Sequence, residues 1–119
     1  MAVRKRTPAQ TLRKLKADAR IADFQGWCMR NGLPKPLAEH TFYVGRKWRF
    51  DFCWPTANLA LENQGGLFSG GRHTRGAALL KEHEKLNAAA VCGYRVLYAT
   101  PQTLKGREMA NILRSILVP

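Results

Sequence analysis

The sequence predicts an α/β domain, a central sheet flanked by helices in the order α-β-β-β-α-β-α, and three observations carry that expectation. Thr7-Pro8-Ala9-Gln10 has the grammar of a helix start, and a long segment with apolar residues near helical spacing follows it. Residues 47–54 alternate in period two, as a strand does. A second helical segment stops at Gly93 and runs directly into Tyr94-Arg95-Val96-Leu97-Tyr98. At 119 residues the chain can bury one core and not two, so residues 7–119 form one domain behind a flexible basic arm at 1–6.

The first helix is expected from Pro8 to about Arg30, capped by Thr7 and answered by Gln10. Leu12, Leu15, Ala19, Ala22, Phe24 and Trp27 form its packing stripe, and Arg13, Lys14, Lys16 and Arg20 its wet side. Asn31-Gly32-Leu33-Pro34 ends it. A strand is expected over 37–43, passing through Glu39. In the next strand Trp48, Phe50, Phe52 and Trp54 make one buried aromatic face, with Asp51 on the other. Residues 59–64 give a third strand, in which Glu62 and Gln64 share a face. Helices are expected over about 77–92 and again from Thr100-Pro101, the last with Ile112, Leu113, Ile116 and Leu117 as its apolar residues.

Twenty Lys and Arg face eight Asp and Glu, a formal net charge of +12. Such a balance favours a polyanion, and nucleic acid comes first, because each phosphate contact releases condensed counterions. No apolar run approaches the roughly 20 residues of a membrane span, and the basic start lacks the apolar stretch of a secretory signal, so a cytosolic setting is expected, bacterial or in a phage-infected host. Cys28, Cys53 and Cys92 are odd in number and isolated among apolar neighbours, which reads as reduced core thiols.

Against that charge, the stretch from His40 to Leu80 holds only two acids, Asp51 and Glu62. If residues 50–63 form a hairpin reversing at Thr56-Ala57, paired positions sum to 113, Trp54 faces Leu59 and Asp51 faces Glu62. Opposed Cβ atoms on one sheet face lie roughly 4.5 to 5.5 Å apart, close enough for two carboxylates to chelate one hard cation. Two uncompensated carboxylates there would repel, and Mg²⁺ or Mn²⁺ resolves the conflict. The plainer alternative pairs each acid with Arg46, Lys47 or Arg49 on a solvated face. Thr-Ala is a poor two-residue hairpin loop, and Pro55 points to a longer turn.

The succession Arg49-Phe50-Asp51-Phe52, Ala60-Leu61-Glu62-Asn63-Gln64-Gly65-Gly66, Gly71-Arg72-His73, Glu84-Lys85-Leu86-Asn87 and Gly93-Tyr94-Arg95-Val96-Leu97 resembles the PD-(D/E)XK nuclease superfamily. Within it the chain is most similar to the small single-domain branch of very-short-patch repair endonucleases and phage-type VRR-NUC nucleases, over about 39–101. The resemblance implies a restriction-endonuclease-like core with a mixed sheet. It also implies a Mg²⁺-dependent deoxyribonuclease that hydrolyses DNA phosphodiester bonds, structure-selective or nicking, with RNA not excluded and a homodimer conceivable. Asp51 and Glu62 would hold the metal, joined by Glu39 as the acid from the end of the first helical region. Gln64 stands where the motif carries lysine, and a neutral amide can only position by hydrogen bonding. Lys81 or Lys85 from the following helix would then supply the positive charge, unless both are solvated helix charges beside Glu82 and Glu84.

Residues 65–76 hold five of the ten glycines and are expected to form a loop, presenting Arg72, His73 and Arg75 to a phosphodiester. His73 is a candidate base or acid, or else a plain phosphate or solvent contact. His83 shares a helix side with Leu79, Leu86 and Ala90 and reads as half-buried packing. Arg4, Lys5, Arg6, Arg13 and Lys14 are the expected strand-binding cations. The rival from another class is a basic nucleic-acid-binding module without catalysis, a degenerate nuclease fold or a ribosomal-type protein.

Overall fold

The structure, a computed structural model, describes residues 4–64 and 72–119, with the side chains of residues 72–75 outside that description. Helix α1 spans Pro8–Arg30, β1 Leu37–Thr41 and β2 Arg49–Trp54; a short 3-10 turn at Pro55–Ala57 leads to β3, Leu59–Asn63. Helix α2 spans Arg72–Val91, β4 Arg95–Ala99 and α3 Arg107–Leu117. The 3-10 turn is an addition to the expected order. The four strands form one mixed sheet in the order β1-β2-β3-β4, antiparallel except for β3 and β4, which run parallel with α2 as their crossover.

Helix α1 begins as its sequence dictates. Thr7 Oγ1 accepts from the Gln10 N–H at 3.1 Å while Gln10 Oε1 accepts from the Thr7 N–H at 2.8 Å, a reciprocal capping box. The packing stripe falls elsewhere than expected. Phe24 and Cys28 are the buried residues of α1, with Ile21 and Trp27 partly buried beside them, whereas Leu12, Leu15, Ala19 and Ala22 face outward. Successive residues turn by about 100°, so the six apolar residues read as one stripe span two opposite faces, and the sheet takes the one bearing Phe24.

Two clusters sandwich the sheet. On one face Phe24, Cys28, Met109 and Leu113 from α1 and α3 pack on Phe52, Trp54, Leu59 and Leu61, with the Phe24 and Phe52 ring centroids 4.3 Å apart. On the other, Ala89 of α2 meets Phe50, Cys53 and Ala60, flanked by Phe42 and Tyr94. Each face buries one stripe of the helices that cover it. The aromatic residues of β2 are therefore not one face: Phe50 lies with Cys53 on the α2 side, and Phe52 and Trp54 lie on the α1 side. The alternation changes sides across Asp51. Opposite it in β1, Glu39 has a φ of 52°, a left-handed conformation that costs a non-glycine residue about 1 kcal/mol or more. Trp48 precedes β2 and is half-buried against Phe42 and Tyr43, under the Arg46 guanidinium.

Three further expectations need correction. The backbone is helical from Arg72, not from 77, because one Gly76 costs a helix only about 1 kcal/mol and the flanking residues are competent formers. Thr100-Pro101 does not open the last helix: Thr100 N–H donates to Thr103 Oγ1 and its carbonyl accepts from Thr103 and Leu104, closing a separate turn before α3 starts after Gly106. Cys92 is exposed on the solvent side of the α2 terminus, and so is His83, since α2 buries only the side that carries Ala89.

Candidate functional site

The β2–β3 register is the one the hairpin arithmetic gives. Phe52 pairs with Leu61, Cys53 with Ala60 and Trp54 with Leu59, and Asp51 and Glu62 follow at the next position of each strand, beyond the last pair. The loop closes through the 3-10 turn and Asn58, whose φ of 49° suits asparagine, in place of the two-residue Thr-Ala turn. Across the other edge of β2, the β1 register sets Glu39 opposite Asp51. Glu39 therefore sits in a strand and not at a helix end.

Each acid has a partner in the protein. Asp51 Oδ2 accepts from the Asn63 N–H at 2.7 Å, tying the end of β3 to β2. Glu62 is only 7% exposed, and its Oε1 accepts from the Lys85 ammonium at 2.7 Å. Neither uses the surface cations of 46–49; Glu39 does, loosely, with Arg49 Nη1 3.7 Å from Oε2 and both side chains exposed. Burial drives the Glu62 carboxyl up to about 7, against the opposing pull of Lys85, and Asp51 and Glu82 add to the rise. Buried charge at Glu62 is thus only partly compensated by its ammonium partner. Beside it in the parallel register lies Tyr98, whose hydroxyl is raised by burial, Glu82 and Glu62. Tyr98 did not stand out in the sequence; the β3–β4 register was the signal that reveals it.

Lys85 reaches Glu62 because α2 lays its half-buried side across the sheet above Phe50, with the ammonium 5.7 Å from that ring. Lys81, one turn earlier, is exposed. Gln64 is half-buried just beyond β3, where its N–H donates to the Ala99 carbonyl at 2.7 Å. Arg72, His73 and Arg75 belong to the first turn of α2 rather than to a loop, and their side chains lie outside the described residues, as do residues 65–71. Arg4, Lys5, Arg6, Arg13 and Lys14 are all exposed, the last beside Asp18 at 3.3 Å.

On the α1 side a cleft of about 550 Å³ opens over the same strand ends, lined by Arg20, Glu39, Asp51, Asn63 and Lys105 among others. Asn63 Oδ1 is buried there without a hydrogen-bond partner, a costly arrangement for an amide oxygen. Among the described residues no group of three or more His, Cys, Asp or Glu side chains gathers closely enough to hold a metal ion. Asp51 and Glu62 stand at the positions that follow the last pair of the β2–β3 register, Asp51 lining the α1-side cleft and Glu62 held by Lys85 of α2, and Mg²⁺ commonly binds through one or two carboxylates while keeping its waters. Comparison with family models, with curated proteins and with solved structures finds no match. Among the described residues no helix is long and apolar enough to cross a membrane.

Proposed function

We propose that the chain is a metal-dependent nuclease of the PD-(D/E)XK type acting on DNA, with Asp51 and Glu62 as the residues that hold Mg²⁺ or Mn²⁺. The observation that carries this reading is the buried contact between Lys85 and Glu62 beside Asp51. Glu62 and Lys85 meet at the end of β3, next to the strand position that carries Asp51, although the third position of E-x-K is Gln64. Lys85 supplies from α2 the cation that the strand lacks. When bound, the divalent ion lowers the pKa of a coordinated water and offsets the charge gathering on the phosphate.

The protein's own groups do the rest. The Asn63 N–H fixes the Asp51 carboxylate, leaving its orientation little freedom. Lys85 holds Glu62 in place and puts a positive charge where an anionic phosphodiester must approach two acids. Gln64, two residues along the strand from Glu62, orients water by hydrogen bonds. Glu39, exposed opposite Asp51, is the third acid of the reading, and the net charge of +12 attracts the strand.

Supercoiled plasmid with Mg²⁺ or Mn²⁺ tests the proposal. Wild-type protein is expected to nick it, and Asp51→Asn or Glu62→Gln to abolish nicking while DNA binding persists. A protein that cuts no branched, mismatched, single-stranded or RNA substrate with either ion is a binding module, and the proposal fails.

A further inference from the structure

Helix α1 carries a second apolar stripe that its own fold leaves bare. Leu12, Leu15, Ala19, Ala22, Gly26 and Met29 follow one another at spacings of three and four, the seam of a two-helix coiled coil. Their mean direction lies about 160° from that of Ala17, Ile21, Phe24 and Cys28, the residues turned to the core, at 100° per residue. Leu12, Leu15 and Met29 are 53%, 61% and 55% exposed, and Ala19 and Ala22 are exposed between them. A solvated helix has no use for apolar residues at every seam position.

We infer that this stripe joins two copies of the chain through antiparallel packing of α1 against α1. The stripe is self-complementary in that direction. With the two-fold axis between Ala19 and Ala22, Leu15 of one copy meets Gly26 of the other, Leu12 meets Met29, and the two alanines at the centre allow close approach. Large residues face small ones or flexible ones, so no layer is overfilled. The Arg30 guanidinium, which stands 3.0 Å from the place of a Cβ on Gly26, belongs to an exposed side chain that can swing aside.

Charge favours the same arrangement. On the flank of the seam the antiparallel register brings Lys16 of one copy next to Asp23 of the other, twice by symmetry; Asp23 pairs with Lys105 of its own chain at 2.5 Å and its half-exposed carboxylate has a second oxygen to offer. A parallel pairing instead sets Asp18 of one copy beside Asp23 of the other, like charge against like. Nucleic acid, the competing occupant of a basic helix, accounts for the cations but gives the row of Leu, Ala and Met nothing to bury against. The inference is independent of the catalytic reading.

Sedimentation of the full chain, kept in reductant because Cys92 is exposed, decides it. Wild-type protein is expected as a dimer at concentrations up to about 100 µM, the weakest range in which a seam of this length would matter. Ala19→Arg, at an exposed position that leaves the helical circular dichroism unchanged, is expected to give a monomer. Lys16→Glu should weaken the dimer about tenfold, and Lys16→Glu combined with Asp23→Lys should restore most of it, since only the antiparallel register joins those two positions. A monomeric wild type, a dimeric Ala19→Arg variant, or a double variant weaker than Lys16→Glu alone would each overturn the inference. So would a monomer whose duplex-DNA affinity collapses in Leu12→Gln/Leu15→Gln, which would assign the stripe to nucleic acid.

Discussion

Replacing Glu62 by glutamine keeps an oxygen acceptor for Lys85 at nearly unchanged volume and removes the one acid that is buried among the described residues. The folded carboxyl holds its proton up to about 7, whereas an unfolded glutamate releases it near 4.5. Between those values the native state binds more protons than the unfolded one, so stability is fullest below about 4.5 and falls as pH rises through about 7. At about 1.4 kcal/mol per pH unit, the wild type gives up about 3 kcal/mol across that window. The variant does not. Urea unfolding of both proteins in chelator at a series of pH values from 4 to 8 therefore should show stabilities that approach one another at the acid end. At the alkaline end the variant should lead by about 3 kcal/mol. Since every other group is common to both proteins, the difference isolates Glu62. Curves that run parallel within about 0.5 kcal/mol would refute the argument that desolvation outweighs Lys85 at this position.

Lys85→Met should cost about 3 kcal/mol at pH 8, where it leaves a buried carboxylate without its cation, and much less at pH 5, where Glu62 is protonated; the same urea series reads both. Phe24→Ala removes a ring that is 1% exposed and in contact with Phe52, and should lower the stability by 3 to 5 kcal/mol, roughly, in chemical denaturation. Thr7→Ala breaks the capping box at the free end of α1, so its cost of about 1 kcal/mol should appear as faster amide exchange within the first turns of α1 and hardly at all in global unfolding.

Local grammar was the most legible part of this chain. The capping box at Thr7 and Gln10, the Gly93 stop and the sum of 113 across the β2–β3 hairpin are short-range and stereochemical, and each appears where the residues put it. What eluded sequence reasoning depends on what lies above each element. Period two in Trp48 to Trp54 looks like one aromatic face, yet helices cover both sides of the sheet and the strand changes sides at Asp51, so aromatic residues are needed on each. In α1 the spacing offered two apolar faces, and only packing chooses between them. Lys81 and Lys85 were indistinguishable in the sequence, a turn apart, and the direction in which α2 crosses the sheet sets Lys85 on Glu62 and leaves Lys81 in solvent.

Glu39 bears on how the fold would respond to selection. Held at a φ of 52°, exposed, with an ion pair no closer than 3.7 Å, it gains little from its surroundings and spends conformational energy to stand opposite Asp51. Glycine would adopt the same backbone freely, so Glu39→Gly should leave the protein equally stable or more so by a few tenths of a kcal/mol, roughly. Laboratory evolution for heat tolerance alone would discard this residue early, while evolution for activity would keep it if its carboxylate serves the site. The two regimes would pull one position in opposite directions.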